Sequence, residues 1–148
     1  MKTKTFNDLT TLELYNILQL RNEVFVVEQN CVYQDLDEKD KQAIHLFYEE
    51  DSIVIAYLRI LPSGVSYQDS PSIGRVVVKD NARGRGLAKK IMEEAIDYIY
   101  NDLGESTIKI SAQEYLTKFY QSLGFCINGE SYLEDDIPHI LMTHKKCK

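Results

Sequence analysis

The chain is read as a single α/β domain of 148 residues (1–148), built on a mixed sheet with helices on both faces. Three observations predict this class. Apolar runs of strand length, rich in valine and isoleucine, occur at residues 43–49, 52–61 and 72–79. Apolar residues then recur at helical spacing over residues 84–100 and 114–123. An opening meander followed by strand–helix–strand–helix and further strands needs both faces of the sheet for its helices.

Each element has its own signals. Residues 2–8 supply a short first strand. Thr10 or Thr11 caps a helix, with Glu13 in the first turn favouring its positive end. Leu14, Ile17, Leu18, Val24 and Phe25 form the apolar stripe of that helix. Residues 28–42 are polar and acidic, a loop or a short helical turn. The strands at 43–49 and 52–61 meet at a tight turn, Glu50-Asp51. The second, IVIAYLRIL, is nearly all apolar, as a central strand should be, and Pro62-Ser63-Gly64 ends it. The helix at 84–100 buries Ala88, Ile91, Met92, Ala95, Ile96 and Ile99. A short strand at 107–111 turns Ile108 and Ile110 to one side. The helix at 114–123 presents Leu116, Phe119, Tyr120 and Leu123, and Gly124 is its C-terminal cap. Strands at 125–134 and 139–145 close the domain.

Composition narrows the function. A net charge of −6 counts against nucleic acid as a partner, since phosphate backbones need clustered Lys and Arg. An acidic surface suits an amine substrate and equally serves solubility. Cys31, Cys126 and Cys147 are odd in number and show no CxxC spacing, so neither a disulfide framework nor a zinc site is expected. Reduced thiols point to the cytoplasm. The opening MKTKTFNDLT lacks the apolar core of a signal peptide. No apolar run approaches the roughly 20 residues that span a bilayer, so no membrane partner is expected. Cys147 stands second from the end and does not form a prenylation box. Asp35, Asp37 and Asp40 invite a calcium reading, but an EF-hand loop needs Gly sixth and Glu twelfth, and Asp40 and Leu46 stand there. No metal is expected. The segment reads as a solvated acidic loop that attracts a cationic acceptor. Monomer and homodimer remain open.

The chemistry is concentrated in Arg83-Gly84-Arg85-Gly86, which follows a valine strand and opens a helix. Glycines there let backbone approach a ligand. The first helical amides lack partners within the helix and carry partial positive charge, so a diphosphate fits, with Arg83 and Arg85 adding charge. The plain alternative is a glycine-rich turn with two solvated arginines. The spacing is neither GxxxxGK[ST] nor GxGxxG, since position 89 is Lys.

Arg83-x-x-Gly86-x-Ala88 matches the [RQ]-x-x-G-x-[GA] motif, and on it the chain resembles the GNAT family of acetyl-CoA-dependent N-acetyltransferases. Phe119-Tyr120-Gln121-Ser122-Leu123-Gly124-Phe125 is similar to that family's FYxxxGF. Residues 20–35, LRNEVFVVEQNCVYQD, resemble the ElaA-like branch, as do Ile73-Gly74-Arg75-Val76, Ala112-Gln113 and Ile137-Pro138-His139-Ile140. Asp80 stands where many relatives have proline, and Gln113 where many have Asn.

The resemblance implies a GNAT fold, a mostly antiparallel mixed sheet with one splayed parallel pair. It implies acetyl-CoA as cosubstrate and an amine of a small molecule or peptide as acceptor, with direct attack while both are bound. Val76, Val77 and Val78 would face pantetheine and the oxyanion. Arg83, Gly84, Arg85, Gly86, Leu87 and Ala88 would cradle the diphosphate, with Gln113 and Phe119 beside pantetheine. Tyr120 resembles the family's general acid, and a phenol stays protonated at neutral pH; its spacing equally fits a core aromatic. Glu28 is the candidate for the acceptor side or a catalytic water. His139 could serve as a base, or be a hydrogen-bonded structural histidine. Cys31 lies near Glu28 and could touch substrate; no Cys-His-Asp set supports a two-step transfer, and a packed thiol is the simpler reading. A non-catalytic acyl-CoA-binding sensor and a binder of some other phosphate ligand are the competing functions.

Overall fold

The computed structural model describes residues 1–146, and Cys147 lies outside them. Strand β1 (Lys2–Thr5) is shorter than the expected 2–8, because a 3₁₀ turn at Phe6–Asp8 ends it. Helix α1 (Thr11–Arg21) is capped by Thr10. The Thr10 hydroxyl accepts the Glu13 amide at 3.0 Å, and the Glu13 carboxylate accepts the Thr10 amide at 2.9 Å. This reciprocal box satisfies two amides that a helix start leaves open. The helix then widens into π turns over Asn22–Glu28.

Strands β2 (Ile44–Glu50) and β3 (Ile53–Leu61) form a hairpin. It turns at Asp51-Ser52, one residue beyond the expected position, with φ of 51° and 65°. Two positive φ values give the turn the twist of its flanking strands. Next come β4 (Ser72–Val78), α2 (Leu87–Asp97), β5 (Thr107–Gln113) and α3 (Thr117–Ser122), the last entered through a 3₁₀ turn at Glu114–Leu116. The single strand expected at 125–134 is two short ones, β6 (Cys126–Ile127) and β7 (Tyr132–Glu134). The turn formers Asn128, Gly129 and Ser131 interrupt it. Strand β8 (Ile137–Lys145) completes the fold.

The sheet runs β1-β2-β3-β4-β5-β8-β6, with β7 also on β8. Every neighbouring pair is antiparallel except β4 and β5. Helix α2 lays Ile91, Met92, Ala95 and Ile96, and the π turns that continue it at Tyr98–Asp102 lay Ile99, on Leu46, Leu58, Ile60, Ile108 and Ile110. Burying each such side chain stabilises the fold by roughly 1.5–3 kcal/mol. On the opposite face Ile17, Leu20, Val24 and Phe25 pack on Phe47, Tyr57 and Val77.

The stripe of α1 differs from expectation. Glu13, Ile17, Leu20, Arg21, Val24 and Phe25 are buried, while Leu14 and Leu18 are half-buried. Glu13 faces inward toward β1, where the partly exposed Lys2 and Lys4 each reach it at 2.9 Å. Burial alone would raise the Glu13 carboxyl, but the Thr10 amide and both lysines outweigh it and hold it at about 2. No helix among the described residues is long and apolar enough to cross a membrane.

Candidate active site

Strands β4 and β5 pair at one position, Ser72 with Lys109, and then diverge. The gap opens into a cleft of about 1070 Å³. A bulge aims β4 into it. Tyr57 pairs with Val77 and Arg59 with Gly74, so β4 carries one residue more than β3. Arg75, at φ 52°, absorbs the extra residue. Lys79 gives its amide to the Ile55 carbonyl at 2.8 Å. By alternation Val78 and Val76 turn their backbone groups to the open edge, where no strand receives them. Val76, Val77 and Val78 all line the cleft.

The loop after β4 delivers a helix start to the same cleft. Gly84 and Gly86 sit at φ 84° and 73°, a region open to glycine and strained for other residues. A Cβ at either would meet nothing within 4 Å, so conformation rather than crowding calls for glycine. Gly86 is the N-cap of α2 and offers no side-chain cap, which leaves the first amides of the helix free for an anion. Arg83, Gly84, Gly86, Leu87, Ala88 and Lys89 line the cleft. Arg85, expected in this cradle, instead turns its guanidinium to Glu50, at 3.1 Å for one of its two contacts.

Arg83 makes two connections. Its Nε donates to the Val78 carbonyl at 3.1 Å, and its two terminal nitrogens grip Glu28 at 2.7 and 2.6 Å. That guanidinium holds the Glu28 carboxyl below its usual range. Glu28, at the end of the π turns, therefore ties the loop after β4 to the segment that follows α1.

The acidic segment corrects an expectation: it is not a solvated loop. Asp35 and Asp40 are each 6% exposed and join Asp37 in a network with Arg21, Arg59 and Arg75. Arg21 reaches Asp35 at 2.8 Å and Asp40 at 2.7 Å. Arg59 takes both oxygens of Asp37, at 2.7 and 2.6 Å, and Asp40 at 2.9 Å. Arg75, the bulge residue, takes the Asp35 carboxylate at 2.7 Å and its carbonyl at 2.8 Å. Burial would raise Asp37, but Arg59 and then Arg75 outweigh it and hold it at about 2. Beneath the network His45 donates from Nε2 to the Asp40 carbonyl at 2.9 Å and accepts the Tyr57 hydroxyl on Nδ1 at 2.7 Å. Three charges of each sign cancel within the protein, so the segment presents little net charge to a cation.

Across the cleft, Tyr120 is 7% exposed and packs edge-on between Phe119 and Phe125, at 5.1 and 6.0 Å between ring centres. Burial pushes its phenol up to about 12, so it keeps its proton at neutral pH. Tyr120, Phe119 and Gln113 line the same cleft.

The far end of the cleft is bounded by β5, β8 and the β7–β8 turn. His139 pairs with Gln113 across β8 and β5. Its Nδ1 lies 2.7 Å from the Ile137 carbonyl, and its Nε2 3.4 Å from Glu134. Ser111 hydrogen-bonds Tyr132, and Tyr132 stacks on His139 at 6.3 Å. The Cys31 thiol donates to the Asp135 carbonyl at 3.7 Å, tying the loop after α1 to this turn. Among the described residues no group of three or more His, Cys, Asp or Glu could hold a metal ion.

One cleft thus collects Val76, Val77, Val78, Arg83, Gly84, Gly86, Leu87, Ala88, Gln113, Phe119, Tyr120, Glu28, Cys31 and His139. Arg85 is not among them. Sequence reasoning missed Tyr33, Arg59, Tyr67, Arg75, Ser111 and Glu134, which also line it, as does Asp37 of the acidic segment. Two carried a readable signal: Arg59 interrupts an apolar strand, and Arg75 a valine one. A buried arginine requires acidic partners.

Comparison with known proteins agrees with this geometry. Residues 9–146 match a family model described as an acetyltransferase (GNAT) domain. A UPF0039 protein of Schizosaccharomyces pombe is 40% identical over 141 residues, 94% of this chain and 92% of that protein. The crystal structure of an acyl-CoA N-acyltransferase from Pseudomonas aeruginosa superposes with a TM-score of 0.89 at 43% identity, covering 97% of each chain. That of Escherichia coli ElaA gives 0.90 at 36%, covering 97% of this chain and 98% of that one.

Proposed function

The chain belongs to the acetyltransferase (GNAT) family and has its fold, and from that premise we propose that it carries the acetyl group of acetyl-CoA to a primary amine of a small molecule or peptide. The observation that carries this reading is the meeting, in one cleft, of the open edge of β4, the uncapped start of α2 and a buried, protonated tyrosine.

These residues suit coenzyme A. The free amides of α2, aided by Arg83 and Lys89, offer positive charge to a diphosphate. Val76 and Val78 offer a hydrogen-bonding edge to the amides of pantetheine, with Gln113 and Phe119 opposite. In the reaction an amine attacks the thioester carbonyl while both substrates are bound. A backbone amide near Val76 to Val78 receives the oxyanion. Tyr120 gives its proton to the departing sulfur. Glu28 contacts the amine or a water once the diphosphate draws Arg83 away. Unpaired Cys31 and Cys126 fit a reducing cytoplasm.

Release of free thiol from acetyl-CoA over a panel of amines tests the reading, with Tyr120→Phe as control. Turnover that falls in the variant supports it. Tight CoA binding with no turnover on any amine would sink it in favour of a non-catalytic acyl-CoA sensor. Protection against heat by ATP but not by CoA would favour a different phosphate ligand.

A further inference from the structure

The arrangement around His139 assigns the step that the cofactor loop leaves open: we propose that His139 takes the proton from the incoming ammonium, with Glu134 as its positioning partner. The inference rests on the transferase reading and names the base within it.

A carbonyl oxygen has no proton to give. The 2.7 Å contact between His139 Nδ1 and the Ile137 carbonyl therefore requires Nδ1 to carry hydrogen. In the neutral ring Nε2 is then an unprotonated acceptor. It lies 3.4 Å from Glu134 Oε2, within ion-pair distance once Nε2 is protonated. A proton taken by Nε2 would form an imidazolium directly beside that carboxylate. Glu134 is kept in place from β5, where the Ser111 hydroxyl donates to its other oxygen at 3.5 Å. Tyr132, also on β7, stacks on the ring and fixes its plane. The side chain of His139 is 8% exposed, so it cannot swing away, yet it lines the cleft.

The other candidates are engaged. Both oxygens of Glu28 are on Arg83, and both of Asp37 are on Arg59. The Cys31 thiol is turned to the Asp135 carbonyl. Glu134 and Asp135 are carboxylates, further from an amine in proton affinity than an imidazole is.

The protons balance. An ammonium R–NH3⁺ gives one proton to His139 Nε2, and the freed lone pair forms the C–N bond as the thioester C–S bond breaks. Tyr120 protonates the departing sulfur and is restored by the second proton, lost from the new amide nitrogen. His139 passes its proton to solvent. The sum is R–NH3⁺ plus acetyl-CoA giving amide, CoA thiol and one released proton.

Two amines separate a base from a merely structural histidine. Butylamine is an ammonium at neutral pH and needs a base; methoxyamine is already neutral there and does not. Thiol release should show His139→Gln losing about 10²-fold or more in kcat/KM for butylamine, but only a few-fold for methoxyamine, with CoA binding unchanged. Raising the pH should return the butylamine rate toward wild type. Glu134→Gln, which leaves the buried ring in place, should show the same split at smaller size and keeps the test alive if His139→Gln does not fold. Nitrogen NMR of the free protein should find hydrogen on Nδ1 and none on Nε2 of His139 in the neutral ring. Equal losses for both amines, or hydrogen on Nε2, would overturn the assignment while leaving the transferase reading intact. No thiol release by wild type with these two amines or with any other amine of the panel defeats the transferase reading, and this inference with it.

Discussion

The two walls of the cleft are built on opposite physics. The β4 wall works through backbone, and its side chains are locked: Arg75 at the bulge is tied to Asp35, and Asp35 and Asp40 to Arg21. The β5–β8 wall works through side chains, where Ser111, Glu134 and His139 meet at longer and more open contacts. The backbone edge proposed to bind pantetheine must hold one shape, so buried ion pairs that punish displacement suit it. Proton transfer needs groups whose charge can change, so it belongs where the contacts are loose.

That contrast can be broken from either side. The largest effect should come from Arg21→Leu, which takes one of two arginine partners from each of the buried Asp35 and Asp40. Removing one partner of such a network costs about 3–5 kcal/mol, which chemical denaturation should register. A loss below about 1 kcal/mol would mean that the β4 wall does not depend on the network. Next comes Tyr120→Phe, expected to lower kcat about 10²-fold while CoA binding by calorimetry changes little. Equal kcat would leave Tyr120 a core aromatic.

Acid should attack the locked wall. Glu13 and Asp37 are both depressed to about 2 in the fold, and Asp40 is depressed as well. A depressed carboxyl contributes stability that is fully present above its unfolded value near ~4 and is lost as pH falls toward its folded value. Stability followed by denaturation should therefore fall between about pH 4 and pH 2, and Arg21→Leu should flatten that fall. The smallest effect belongs to Glu28→Gln. Freeing Arg83 from an exposed pair should tighten CoA binding about twofold to fivefold, and weaker binding would show that Glu28 shapes the loop instead.

Much of the turn from β4 into α2 was legible. Glycines at 84 and 86 between a valine strand and an amphipathic helix allow few backbone paths, and a helix start brings its own positive charge. The ion-pair network behind β4 was not, and residues 35–40 show why. Local polarity reads as solvation, and only partners distant in sequence, Arg59 and Arg75, turn those aspartates inward. The stripe of α1 misled for the same reason, since Glu13 and Arg21 are buried through charges on other elements.

The sequence by itself determined the strands, the helices, the αL glycines and the family, because these depend on periodicity and on neighbours along the chain. Tertiary structure alone decided that the aspartate loop is internal, that Glu28 holds Arg83 while Arg85 leaves the cradle, and which nitrogen of His139 faces Glu134. These are matters of which charge lies within a few ångströms of which, and pairing across the fold leaves no periodic trace in the chain.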